Sequence, residues 1–277
     1  MAMTMEQQPH PLRPGVGPQP APPRDPAVFG PDELDRLVEH FRAQGFAILR
    51  GLFSVEELAE LQLDMEHWQS ELVAGHLDER HGTAILVDHE AADPERFANY
   101  VTEVTLLSDP ARQAAAHPVV VEVVRALIGD DAWLLEDDRF GVVYQDARPG
   151  RESGYSRIGW HSDWQSGPHL AVWPSVAFTF HLDPTSPANG FLRVLPASHL
   201  YGTEGMPTGF EKVPGEAAVY ADEGDVIFHD AHLWHSAARA TAEGDAAVRR
   251  HIRGSWYGGE HLPPNHGVAD FVKNAAR

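Results

Sequence analysis

The chain has 277 residues, 43% of them hydrophobic, and a formal net charge of −20 at pH 7. So acidic a balance argues against nucleic acid and anionic membrane as partners, since both need basic surface. With 17 histidines and no cysteine, it excludes disulfides, thiolate metal sites and a cysteine nucleophile, so any metal must be held by His and carboxylate.

In chain order, residues 1–30 are rich in Pro, Gln and Gly and read as a disordered, flexible tail. No second core pattern follows, so residues 31–277 read as a single domain. Pro31 opens a helix with Leu34, Leu37, Val38 and Phe41 at helical spacing, and Gly45 ends it. Phe46 to Arg50 reads as a short strand. Ser54 and Glu57 form a capping box for a second helix that buries Leu58, Leu61, Met65, Trp68 and Leu72. Residues 75–100, with His76, His81 and His89, are polar and irregular and suit a lid or a solvated loop. Pro118 to Ile128 is a third helix, stopped by Gly129. From about Trp133 to residue 257 short β-branched and aromatic runs alternate with turn residues. The class is mainly β, an antiparallel core with flanking helices supplied by residues 31–130. No run is long and apolar enough to span a membrane and no secretory signal is evident, so a cytoplasmic protein is expected, as monomer or homodimer.

His-x-Asp occurs three times, as His76/Asp78, His161/Asp163 and His181/Asp183. On a strand each pair shares one face. Only His161/Asp163 is followed by the pieces that complete a site. These are Gly224-Asp225-Val226-Ile227-Phe228-His229, Leu233-Trp234-His235-Ser236 and the Arg-rich Val248-Arg249-Arg250-His251-Ile252-Arg253. His229, His232 and His235 compete for the second imidazole. Two imidazoles and a carboxylate form the facial triad that binds Fe(II) and leaves positions open for O2.

Together with Trp160-His161-Ser162-Asp163-Trp164 and Asn189-Gly190-Phe191-Leu192-Arg193-Val194-Leu195-Pro196-Ala197-Ser198-His199, these blocks resemble the phytanoyl-CoA dioxygenase family, which includes the ectoine hydroxylases. Ala197 stands where the family has Gly. The resemblance implies a double-stranded β-helix, or jelly-roll, core with His161, Asp163 and His235 as iron ligands. It implies 2-oxoglutarate as co-substrate, its far carboxylate paired with Arg249, with Arg250 and Arg253 as alternatives and Thr179 nearby. His199 and His229 are read as structural. Retention of Asp163 disfavours halogenation, because related halogenases carry a small residue there.

The expected activity is C–H activation of a small molecule with release of succinate and CO2, by default hydroxylation. Composition suggests a tailoring step in bacterial secondary metabolism, antibiotic biosynthesis included. Tyr144, Trp164, Gln165 and Trp173 are candidates for the substrate pocket, with His169 beside them. Epimerisation, ring closure and desaturation use the same cofactors. Two rivals are a cupin-type metal dioxygenase that forms no succinate and a non-catalytic β-barrel binding protein whose stability ignores metal.

Overall fold

A computed structural model describes residues 27–82, 85–87, 96–136, 141–148, 158–163, 175–201 and 204–259. Its first half runs β1 (Val28–Phe29), α1 (Leu34–Gln44), β2 (Phe46–Leu49), α2 (Val55–Ala74), β3 (Ile85–Val87), β4 (Arg96–Ala98), β5 (Tyr100–Val101), α3 (Asp109–Ala115) and α4 (Pro118–Ile128). The rest is strands: β6 (Trp133–Leu134), β7 (Val143–Ala147), β8 (Ser175–His181), β9 (Leu192–Val194), β10 (Ala217–Val219), β11 (Val226–Asp230), β12 (His235–Ala237) and β13 (Arg249–Tyr257).

From β8 onward the chain passes back and forth between two sheets, with β8, β11 and β13 in one and β9, β10 and β12 in the other. The larger runs β1-β2-β11-β8-β13-β7-β5, with β6 also on β13; the smaller runs β10-β9-β12. An isolated antiparallel bridge between His161 and His235 brings the 158–163 segment beside β12. Two facing, mainly antiparallel sheets between which the chain crosses make the jelly roll.

Strand alternation gives the large sheet two different faces. Val176, Phe178 and Phe180 of β8, Val226 and Phe228 of β11, and Ile252 and Trp256 of β13 pack with Leu37, Leu61, Met65 and Val124 of the helices. The opposite face looks into the barrel. Phe46, Ile48 and Ile227 there pack with Val194, Ala217, Val219 and Leu233. Polar side chains therefore reach the barrel interior from the alternate positions, among them Thr179 and His181 on β8, Gln145 on β7, His229 on β11, and Arg249, His251 and Arg253 on β13.

The Ser54 capping box is present, with the Ser54 side chain accepting from Glu57 N and Glu57 accepting from Ser54 N. The helix Pro118–Ile128 has its expected bounds. Three boundaries differ. The flexible tail does not reach residue 30, because Val28 and Phe29 pair in parallel with Ile48 and Leu49 and are buried; residues 1–26 lie outside the described residues. Helix α1 begins at Leu34 rather than Pro31, because Glu33 N donates to Gly30 O at 3.0 Å and closes a turn first. Helix α3, absent from the sequence reading, is a short Ala-rich segment capped by the Ser108 side chain. In the 75–100 stretch, His81 is held by Thr102 O at 3.0 Å and His76 by Glu71 at 3.0 Å, while His89 lies outside the described residues.

Candidate metal centre

His161, Asp163 and His235 each present one ligand atom, and the three atoms lie within 4.8 Å of one another. The two histidines come from adjacent strand segments whose backbones exchange hydrogen bonds, His161 N to His235 O at 3.0 Å and His235 N to His161 O at 2.9 Å. Their rings stand 4.1 Å apart. Asp163 reaches the same point two residues after His161. Its Oδ1 is 3.8 Å from His161 Nε2 and 3.7 Å from His235 Nε2.

Each imidazole is oriented by a carbonyl two residues upstream. His161 Nδ1 lies 2.9 Å from Gly159 O, and His235 Nδ1 lies 2.8 Å from Leu233 O. A carbonyl only accepts, so both rings carry a proton on Nδ1, and the neutral form of each turns the lone pair of Nε2 toward Asp163. That tautomer is the one a metal-binding histidine with a carbonyl partner adopts. Donor types, spacing and tautomers thus fit a divalent cation such as Fe(II).

The segment is anchored close to its neighbours. A Cβ on Gly159 would come 2.6 Å from Gly209 O. Trp160 is buried, donates its ring N–H to Glu211 O at 2.9 Å, and lies under the Arg193 guanidinium. Ser236 Oγ donates to Ile158 O at 2.9 Å, and Ser198 Oγ accepts from Trp234 N at 2.8 Å. Ser198 and His199 therefore support the site from the Pro-Ala-Ser-His turn, with His199 Nε2 3.1 Å from Arg42 O.

His229 proves closer to the centre than its structural reading implied. Its Nε2 lies 3.2 Å from Asp163 Oδ2, and its ring is 4.5 Å from that of His235. Oδ2 is thereby engaged while Oδ1 faces the two Nε2 atoms. The available signal was strand parity: His229 follows Ile227 on the inward face of β11. His232 instead bonds its own neighbour Asp230 at 3.1 Å.

Charge states suit a cation. Burial alone would raise the Asp163 carboxyl, but His235, His229 and His161 around it hold it well below the usual carboxylate range. His235 is pushed down to about 3, first by burial and then by His161. A carboxylate and an unprotonated imidazole at neutral pH are the ligating forms.

The three candidate arginines separate by strand parity. Arg250 faces the helices, where Asp183 takes its Nε at 2.9 Å and its Nη2 at 2.8 Å and Glu66 takes Nη1. It is spoken for and points away from the barrel. Arg249 and Arg253 face inward. Arg253 stands opposite Thr179 in the β8–β13 register, with its guanidinium 5.9 Å from the Tyr100 ring. Arg249 is 6% exposed, and its Nε has no hydrogen-bond partner among the described residues. Burial pushes it down to about 10, so it stays charged at neutral pH. Its Nη1 would lie 2.8 Å from a Cβ on Gly190, whose φ is +88°, so glycine leaves room beside the guanidinium.

Tyr144 is not on the barrel's inner face. It pairs with Ile252 and is fully buried in the cluster between sheet and helices, which corrects its expected place along a substrate pocket. Trp164, Gln165, His169 and Trp173 lie outside the described residues. The other two His-x-Asp pairs do not converge: His76 is exposed, and Asp183 turns to Arg250 while His181 stays inside the barrel.

The phytanoyl-CoA dioxygenase family model matches residues 41–249. The chain belongs to this family. Ectoine dioxygenase of Nocardia farcinica is 28% identical over 182 residues, 63% of this chain and 54% of that protein. Dioxygenase af480 of Aspergillus fumigatus is 29% identical over 163 residues, 55% of this chain and 46% of that protein. The chain thus spans about half the length of these curated relatives. Among solved structures, the non-heme α-ketoglutarate-dependent epimerase SnoN from nogalamycin biosynthesis superposes with a TM-score of 0.62 at 20% identity, covering 87% of this chain and 90% of its own. EctD from S. alaskensis, solved with 2-oxoglutarate and 5-hydroxyectoine, gives 0.62 at 20% identity, covering 80% and 75%. Fold and family agree with the sequence reading. No helix among the described residues is long and apolar enough to cross a membrane.

Proposed function

We propose that this protein is an Fe(II)- and 2-oxoglutarate-dependent oxygenase that hydroxylates a small molecule in bacterial secondary metabolism. The convergence of His161, Asp163 and His235, with both imidazoles held in the ligating tautomer, carries this reading. His161, Asp163 and His235 would hold the iron, and Arg249 would pair with the distal carboxylate of 2-oxoglutarate. Bound iron and 2-oxoglutarate supply the oxidising chemistry, with succinate and CO2 as co-products. The protein's own work is positional. Gly159 O and Leu233 O fix the two ring planes, His229 holds Oδ2 of Asp163, and the buried Arg249 orients the co-substrate.

Epimerisation or ring closure would use the same residues and is the second reading. It is supported by the fold shared with SnoN and with the carbocyclase SnoK, the latter at a TM-score of 0.57. Product analysis separates the two: hydroxylation adds one oxygen atom to the substrate, epimerisation adds none.

The test is an anaerobic titration of the purified protein with Fe(II) and then 2-oxoglutarate, followed by admission of oxygen and measurement of succinate. Binding and succinate formation in the wild type, both lost in His161→Ala and Asp163→Ala, are expected. Iron binding without 2-oxoglutarate binding would overturn the proposal.

A further inference from the structure

The inner face of β8 and β13 carries a polar cluster with unpaired atoms. His181 and His251 stand directly opposite each other in the register, with ring centroids 5.8 Å apart. Arg249 lies two residues before His251, on the same strand face. The three side chains belong to residues only 6%, 7% and 6% exposed. Nδ1 of His181, Nδ1 of His251 and Nε of Arg249 all lack hydrogen-bond partners among the described residues. Buried polar atoms are normally paired, so three unpaired ones in one place call for a polar occupant.

The occupant's charge follows from the neighbours. The chain has 41 acidic residues against 21 Lys and Arg. Several other arginines find carboxylates: Arg50 with Asp225, Arg148 with Asp146, Arg193 with Glu216 and Arg250 with Asp183. Among the described residues no carboxylate pairs with Arg249. Both imidazoles stay neutral, first through burial and then through Arg249, with His181 pushed down to about 3 and His251 well below its usual range. A neutral imidazole still offers one N–H. The three side chains therefore offer one buried positive charge and two neutral donors, with Arg253 a second cation beside His251 on the same strand face, a set that matches one carboxylate.

Its position suits the far end of a short diacid. The Gly190 Cβ position that meets Arg249 Nη1 also lies 2.5 Å from Ala238 O, three residues beyond His235. Three extended residues span roughly 10 Å, on the order of the length of a five-carbon dicarboxylate. We propose, on the reading that 2-oxoglutarate is the co-substrate, that His181 and His251 join Arg249 in receiving its distal carboxylate. The three donors together select a dicarboxylate over a 2-oxo monoacid.

The probe pair is 2-oxoglutarate and 2-oxopentanoate, which share the chelating end and differ only in the distal carboxylate. Each is titrated anaerobically by calorimetry into the Fe(II)-loaded protein. In His181→Leu and His251→Leu the Kd for 2-oxoglutarate should rise roughly tenfold or more, the size expected for losing a hydrogen bond to a charged group. The Kd for 2-oxopentanoate should stay unchanged. His181→Asn and His251→Asn, which keep an N–H donor near the position of Nδ1, should recover most of the loss and guard against a folding defect. Equal weakening of both probes, or no change in either, overturns the role of the two histidines. A wild type that binds both probes equally well overturns the selectivity alone. A wild type that binds neither overturns the co-substrate reading itself, and this inference with it.

Discussion

Replacing His229 by leucine removes the donor that holds Asp163 Oδ2 at 3.2 Å. Asp163 Oδ1 lies 3.8 Å and 3.7 Å from Nε2 of His161 and of His235, so the His229 contact fixes which oxygen faces the proposed metal position. Without it, the carboxylate can turn about its last side-chain bond. A hydrogen bond to a charged group contributes about 1.5–3 kcal/mol. Loss of a group that orients a metal ligand costs about 10–100-fold in affinity, equivalent to about 1.4–2.7 kcal/mol. The two ranges overlap, so His229→Leu should weaken divalent-metal binding about 10–100-fold. His229→Gln, which keeps an N–H donor at similar reach, should recover part of the loss. The assay is anaerobic calorimetry with Fe(II), repeated with Co(II), whose visible spectrum reports ligand geometry. Wild-type affinity and an unchanged Co(II) spectrum in His229→Leu would refute the positioning role.

Other outcomes follow from the same geometry. Arg249→Leu should weaken 2-oxoglutarate binding strongly and iron binding little, whereas Arg250→Leu should lower stability in urea unfolding and spare the co-substrate; the reverse pattern would move the anchor. Ala197 occupies a left-handed conformation at φ +64°, a strain of about 1–2 kcal/mol for a residue with a Cβ. Ala197→Gly relieves it but gives the unfolded chain more freedom, worth about 0.4–1 kcal/mol, so a net gain of up to about 1.6 kcal/mol is expected in urea unfolding. Reduced stability would show that the Ala197 methyl packs productively. His181 and His235, each pushed down to about 3, and His251, shifted the same way, have folded pKa values below the ordinary 6.5. Between those values the unfolded chain binds protons that the metal-free folded chain does not. Stability is then fully present above pH 6.5 and falls as pH drops, by up to about 1.4 kcal/mol per pH unit for each imidazole. Urea midpoints from pH 7.5 to 5 check this, and a flat profile that persists in His251→Asn would contradict it.

Much of this protein is determined by local sequence. The Ser54 box and the Pro118 and Gly129 boundaries are legible because caps depend on residues a few positions apart. His161 and Asp163 are legible as a pair because an extended chain puts positions i and i+2 on one side. Their place within ordered family blocks made the jelly roll and the cofactor class readable before any coordinates. The remaining choices depended on where strands pair. His235 completes the cluster because its backbone bridges to His161; His229 approaches from the other sheet and becomes the support for Asp163. Arg249 faces the barrel and Arg250 the helices because Asp183 and Glu66 wait on the helical side and fix the parity of β13. The same parity sends Tyr144 into the core and sets His181 against His251. Parity within a strand is written in the sequence, but which face is inside is decided only when the sheets and helices close around it.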